Sequence, residues 1–183
     1  MKSILRLLLA ALPLALLFMP LQAQDNTSSR ELQVKAAYLY NFTRFVTWEK
    51  NPAAGGGKII IGFIGAGEIA DVLDSFLRSS GNDKQVEVRR FPPDSENLDK
   101  CHILFIEPGN GVQLDNILKK IKMKPILTVG DTPDFVKRGG MVGLFEEGGR
   151  IRIRLDLERA ESAGMNISSK LIEVSQLVNP EGT

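Results

Sequence analysis

The chain has 183 residues, 43% of them apolar, with 23 basic against 22 acidic side chains, one cysteine and one histidine. So balanced a charge gives no footprint for nucleic acid, whose binders carry a large basic excess. A lone cysteine excludes an internal disulfide, and one Cys with one His cannot assemble a soft-metal site within one chain, so neither metal nor cofactor is expected.

The first residues read as a secretory signal peptide. Lys2 and Arg6 form a short positive region, Leu7 to Met19 is almost purely apolar, and Leu21-Gln22-Ala23 ends in a small residue. The apolar run falls short of the ~20 residues a spanning helix needs. The expected layout is a signal peptide at 1–23, a flexible N-terminus at 24–29 and one α/β domain at 30–179 of an exported protein. Without Lys2 and Arg6, 21 basic residues stand against 22 acidic ones.

Arg30 to Trp48 has apolar residues at helical spacing, with Leu32, Leu39, Phe42 and Val46 on one stripe and Ser28 or Ser29 available as a cap. Five of the twelve aromatics fall between Tyr38 and Trp48, after which Pro52 and three glycines end the helix. Lys58 to Ile64 reads as a strand, Gly65 to Gly67 as its turn and Glu68 to Ser79 as a helix. Within that turn, Gly65-Ala66-Gly67-Glu68-Ile69-Ala70 fits a relaxed dinucleotide fingerprint. Gln85 to Phe91 is a second strand.

Cys101 to Ile106, apolar at nearly every position, reads as a central strand. Cys101 and His102 are neighbours on it and point to opposite faces, so they form no catalytic dyad; the reading is a buried thiol beside a partly exposed imidazole. Val112 to Met123 is a helix and Pro125 to Val129 a fourth strand. A short helix capped by Asp131 or Thr132 is expected after it. Strands separated by helices predict an α/β sandwich, with a mostly parallel central sheet flanked by helices.

Met141 to Leu157 changes character and reads as an antiparallel β-hairpin at the sheet edge, with Gly148-Gly149 at its turn. That turn sets Glu147 opposite Arg150, Phe145 opposite Arg152 and Gly143 opposite Arg154. Val142, Leu144, Ile151, Ile153 and Leu155 then share the buried face. Arg150, Arg152, Arg154 and Asp156 point the other way, beside Met141 and Phe145. Unpaired arginines do not sit under a helix layer, so that face is expected to be open. An exposed aromatic among arginines is the composition of an interface hot spot. Met141, Phe145, Arg152, Arg154 and Asp156 are therefore the candidate partner-binding residues. The chain is expected to close with a helix over "NISSKLIEVSQLV", capped near Asn166 or Ser168.

Three stretches, "VKAAYLYNFTRFVTW", "ILTVGDTPDFVKRGGMVGLFEEGGRIRIRLDL" and "AGMNISSKL", closely resemble the YfiR-like proteins of Gram-negative bacteria. The likeness runs from Val34 to Leu171; Pro52 to Gly111 adds little to it. It rests on Asn41, Phe42, Phe45 and Trp48, on Gly130, Asp131, Gly139 and Gly140, and on Ser168, Ser169, Lys170 and Leu171. The resemblance implies a periplasmic repressor, not an enzyme, that binds the periplasmic sensor domain of an inner-membrane diguanylate cyclase. Repression lowers cyclic di-GMP and biofilm formation, and an OmpA-like outer-membrane lipoprotein sequesters the repressor. It also implies a homodimer and, in some members, a histidine kinase as the receptor. The best-known member of the family carries paired cysteines; Cys101 matches one of them and the hairpin lacks any, which puts a disulfide-controlled switch in doubt.

Two other readings stand beside this one. A periplasmic small-molecule sensor would use Tyr38, Phe42, Phe45 and Trp48 as an apolar pocket. A dinucleotide enzyme would use Gly65, Gly67 and, about 20 residues on, Glu87 for the ribose. Arg89 and Arg90 follow that acid, and the segment carries no evident catalytic base, which ranks this reading last.

Overall fold

The computed structural model describes residues 24–49, 57–65, 67–107 and 111–178; the expected signal peptide lies outside them. The chain divides into two units, Met1–Arg30 and Glu31–Thr183. The described part of the first is the opening of helix α1 (Gln24–Phe45). No glycine or proline interrupts residues 24–45, so the helix runs through Ser28 and Ser29 and neither caps it.

Strand β1 (Val46–Trp48) follows α1 directly, where the sequence pattern predicts more helix. Then come β2 (Ile59–Ile64), α2 (Gly67–Ser80), β3 (Val86–Arg90), β4 (Ile103–Ile106), α3 (Gly111–Ile121), β5 (Leu127–Gly130), β6 (Val142–Glu147) and β7 (Arg150–Leu155). The chain closes with α4 (Leu157–Ser162), β8 (Met165–Ile167), α5 (Ser169–Glu173) and β9 (Ser175–Leu177). The single closing helix expected from the sequence is thus three short elements. Ser168 does stand at the start of α5, but its hydroxyl makes no capping bond.

Seven strands form one sheet in the order β3-β2-β4-β5-β6-β7-β9. The first five run parallel, β7 turns back antiparallel to β6, and β9 lies parallel to β7. The expected α/β architecture is what forms: a mostly parallel central sheet with flanking helices, closed on one side by the antiparallel hairpin. Beyond it the sheet gains β9, and β1 pairs with β8 in a separate two-stranded sheet, Val46 opposite Ile167.

Two apolar layers hold the sheet. On one face, Leu39 and Phe42 of α1 and Leu73 and Leu77 of α2 pack with Ile61, Phe63, Ile103, Phe105, Leu144 and Ile153. On the other, Leu114, Ile117 and Ile121 of α3 pack with Ile64, Leu104, Ile106 and Phe135. A strand covered on both faces has no polar side, and all four residues of β4 are buried.

Cys101 and His102 precede β4. Cys101 is fully buried, and burial pushes its thiol up to about 12. His102 is buried as well, not partly exposed as expected from its facing away from Cys101, because both sides of the sheet are covered here. Its Nδ1 accepts the Ile60 amide proton at 3.0 Å and its ring meets Trp48 edge-on at 5.4 Å. Desolvation holds its pKa below the usual histidine value.

Candidate partner-binding face

The hairpin forms in the register its glycine turn dictates. Glu147 pairs with Arg150, Phe145 with Arg152 and Gly143 with Arg154, while Gly148 and Gly149 have φ of 61° and 74°. Glu146 folds back to accept the Gly149 amide at 2.5 Å, which secures the turn. Val142, Leu144, Ile153 and Leu155 are buried and Ile151 partly so.

Beyond the stretch 133–139, the other side of the hairpin is open among the described residues. Arg150 and Arg152 are exposed, and Phe145 and Arg154 are half-buried. The Arg154 guanidinium lies 3.8 Å above the centre of the Phe145 ring and donates to the Pro133 carbonyl at 3.3 Å. A cation over an aromatic face is worth about 0.5–1 kcal/mol at such a site and holds both side chains in one orientation. Arg152 reaches Glu147 at 3.5 Å, an exposed pair of little energetic weight. Phe145, Arg152 and Arg154 are therefore brought together.

Met141 and Asp156 are not part of that face. Met141 is 3% exposed and Asp156 fully buried. Strand alternation fails at both because each lies one residue outside its strand, at the base of the hairpin. There the Asp156 amide donates to the Met141 carbonyl at 2.9 Å, and the Met141 amide donates to Thr128 Oγ1 at 3.0 Å. The Asp156 carboxylate caps α4, accepting the Arg159 amide and Nε, each at 2.9 Å.

The stretch 130–140 positions the open face from below. The expected short helix after β5 is a series of turns instead. Phe135 is fully buried, with Gly130 and Gly140 on either side. A Cβ on Gly140 would stand 2.1 Å from the ring, and one on Gly130 2.3 Å. Those two glycines make the slot for Phe135, while Gly139, at φ 102°, makes the turn.

Asp131 caps no helix. Its Oδ2 accepts a hydrogen bond from Lys35 Nζ at 2.7 Å, and Lys35 also pairs with Glu31 at 2.7 Å. Burial works to lower the Lys35 pKa, but the hydrogen bonds to Asp131 and Glu31 outweigh it and the net shift is upward, so the amine stays charged. This bridge ties α1 to the end of β5 and sits in the wall between two crevices. One, of about 390 Å³, adjoins Phe145 and Arg154 and is also lined by Glu31, Pro133 and Glu146. The other, of about 380 Å³, lies beyond the carboxyl ends of β2, β4 and β5, lined by Leu32, Gly67, Glu68, Ile69 and Glu107. The sequence reading missed Lys35, and a signal was there: Leu32, Lys35 and Leu39 share one helical stripe, so a lysine stands where burial is due.

The aromatics of α1 and β1 serve the core. Phe42 is 1% exposed and stacks on Tyr38 at 6.3 Å; Tyr38 donates to the Ile151 carbonyl at 3.2 Å, and Phe45 and Trp48 pack against the same cluster. The turn of the dinucleotide fingerprint is explained by the chain itself. Gly65 has φ 71°, and a Cβ there would lie 2.6 Å from the Glu107 carbonyl oxygen. Glu87 is held by Arg89 at 2.6 Å, and that hydrogen bond lowers its pKa.

Among the described residues no helix is long and apolar enough to cross a membrane, and no group of His, Cys, Asp and Glu is placed to hold a metal ion. A comparison with curated proteins finds no match. Nine solved chains match in structure. One is the ABC domain in complex with L-Trp from Streptococcus pneumonia, with a TM-score of 0.48 and 9% identity over 67% of this chain and 55% of that one. The DUF4154 family, described as YfiR/HmsC-like, matches residues 32–176. The match takes in α1 from its third turn onward, the whole parallel sheet, the hairpin and most of β9, and the chain belongs to the YfiR/HmsC-like family.

Proposed function

We propose that this protein is a periplasmic signalling regulator, not an enzyme, that binds the periplasmic sensor domain of an inner-membrane receptor and holds it inactive. The receptor we favour is a diguanylate cyclase, so that repression lowers cyclic di-GMP and biofilm formation and an OmpA-like outer-membrane lipoprotein relieves it. Membership of the YfiR/HmsC-like family supports a periplasmic regulatory role. The observation that carries the choice of surface is the Phe145–Arg154 stack beside exposed Arg152. It offers a preset aromatic–cation pair on an otherwise open strand face, the chemistry enriched at interface hot spots.

Deleting the gene is expected to raise cyclic di-GMP, and restoring it to lower the level again. Restoring it with Phe145→Ala and Arg152→Ala together is expected to leave the level high, with receptor binding at least about tenfold weaker. The folded protein should persist, because both side chains lie outside the core. Unaltered repression by the double variant places the contact elsewhere; unaltered cyclic di-GMP on deletion points to a histidine kinase as the receptor.

A second reading, a small ligand that tunes this contact, draws support from the crevice beyond β2, β4 and β5. Ligands of open α/β sheets bind outside the carboxyl ends of strands where the strand order reverses, and β2, with β3 on one side and β4 on the other, is such a place. A metabolite that raises the melting temperature of the wild type but not of Glu68→Gln supports it.

A further inference from the structure

The residues that lead into β5 carry charge of one sign. Lys119, Lys120, Lys122 and Lys124 fall within six residues, and no acid occurs from Asn116 to Gly130, in a chain whose charges otherwise balance. Lys119 and Lys120 lie in the last turn of α3, where the helix dipole favours cations. That account stops at Ile121. Lys122 and Lys124 stand beyond the helix, and so does Met123 between them. Met123 is 71% exposed, the most exposed large apolar side chain among the described residues.

Few acids answer these lysines. Lys120 reaches Glu96 at 2.7 Å, whereas Lys119, Lys122 and Lys124 enter no salt bridge among the described residues. Glu158 of α4 lines a crevice with Lys122 and Met123; Asp156, which shares it, is fully buried and held by Arg159 at 2.9 Å. The result is a basic corner with an apolar side chain at its centre. An interfacial anchor is built this way: ammonium groups meet phosphate, and the apolar side chain enters the boundary of headgroups and acyl chains.

We infer that this corner docks on an anionic phospholipid surface, with Met123 entering the headgroup layer and Lys119, Lys122 and Lys124 meeting lipid phosphates. Each lysine near such a surface multiplies partitioning about fivefold. Protein interfaces, by contrast, are depleted in lysine. β5 and β6 run parallel, so the lysines ahead of β5 and the Gly148-Gly149 turn after β6 lie at opposite ends of the sheet. A docked molecule therefore points its hairpin turn away from the bilayer, the side on which, under the proposed function, the receptor's sensor domain stands. The docking itself needs no receptor.

Co-sedimentation with phospholipid vesicles of the protein purified from the periplasmic fraction tests this. Binding is expected to phosphatidylcholine vesicles with about one third phosphatidylglycerol and not to phosphatidylcholine alone, and to fall severalfold between about 0.1 and 0.5 M salt. Lys119→Gln with Lys122→Gln is expected to weaken it at least about tenfold and Met123→Ser severalfold, with circular dichroism unchanged because all three side chains are exposed. Glu158→Gln, which removes the exposed acid beside Lys122, is expected to strengthen it. Arg150→Gln with Lys170→Gln removes equal charge from exposed positions outside the corner and is expected to change binding no more than about twofold. A wild type that ignores the anionic vesicles overturns the inference; should the lysine variant then lose the receptor, the corner is a protein contact. Equal losses from the two charge-matched pairs overturn it too, because net charge alone would then hold the vesicles. Binding unaltered by Met123→Ser overturns the insertion.

Discussion

Along β4, Ile103 to Ile106 are buried without exception, whereas along β7 the exposed Arg150 and Arg152 alternate with partly or fully buried Ile151, Ile153 and Leu155. Both strands belong to one sheet, and the difference is what covers them. β4 lies between α1 and α2 on one face and α3 on the other, so every side chain must be apolar. Among the described residues the outer face of the hairpin meets the turns at 133–139 at its base and carries exposed arginines beyond them. The lesson is one of division of labour: the doubly covered half supplies stability, and the half covered once supplies surface.

The contrast is broken most sharply in the doubly covered half. Phe105→Ala empties a fully buried site and is expected to lower stability by about 3–5 kcal/mol, measured by urea unfolding. Next comes the joint between the halves. Gly140→Ala sets a methyl group 2.1 Å from the Phe135 ring and should cost about 1–3 kcal/mol. Combining it with Phe135→Leu should cost less than the two changes added separately, because both act on one slot. A strictly additive pair refutes the slot.

A smaller effect is expected from pH. His102 has a folded-state pKa below its unfolded value of about 6.5. Between those two values the unfolded chain takes up a proton that the folded chain refuses. Its contribution is complete above about pH 6.5 and is lost as pH falls through the window below it, at no more than about 1.4 kcal/mol per pH unit. His102→Asn, which keeps an acceptor for the Ile60 amide, should flatten the loss between pH 7 and 5; an unchanged slope assigns acid sensitivity to other groups. The smallest effect on stability is that of Phe145→Ala, about 1 kcal/mol or less, because the ring lies outside the core clusters, is partly exposed and loses mainly its contact with Arg154. A loss as large as that at Phe105 would erase the distinction between the halves.

Local pattern made much of this legible. The hairpin register follows from two glycines with positive φ and from alternation, and Phe145, Arg152 and Arg154 were foreseeable as one face for that reason. The same rule placed Met141 and Asp156 on that face, and it misled there because alternation holds only while the chain stays in the strand. Its position before Pro133 marked Asp131 as a helix cap, but it caps no helix and its partner is Lys35, 96 residues away.

What the sequence determined by itself is the alternation of strands and helices, the hairpin with its turn, and, from one cysteine and one histidine, the exclusion of an internal disulfide. These depend on residues close together in the chain or on composition alone. Tertiary structure decided the rest. Val46 to Trp48 becomes a strand because Met165 to Ile167 lies beside it. "SQL" becomes an edge strand because β7 offers a free side. Gly130 and Gly140 matter because a ring from between them returns to fill their slot. In each case the deciding partner is set by packing, and no window of neighbouring residues contains the energy that selects it.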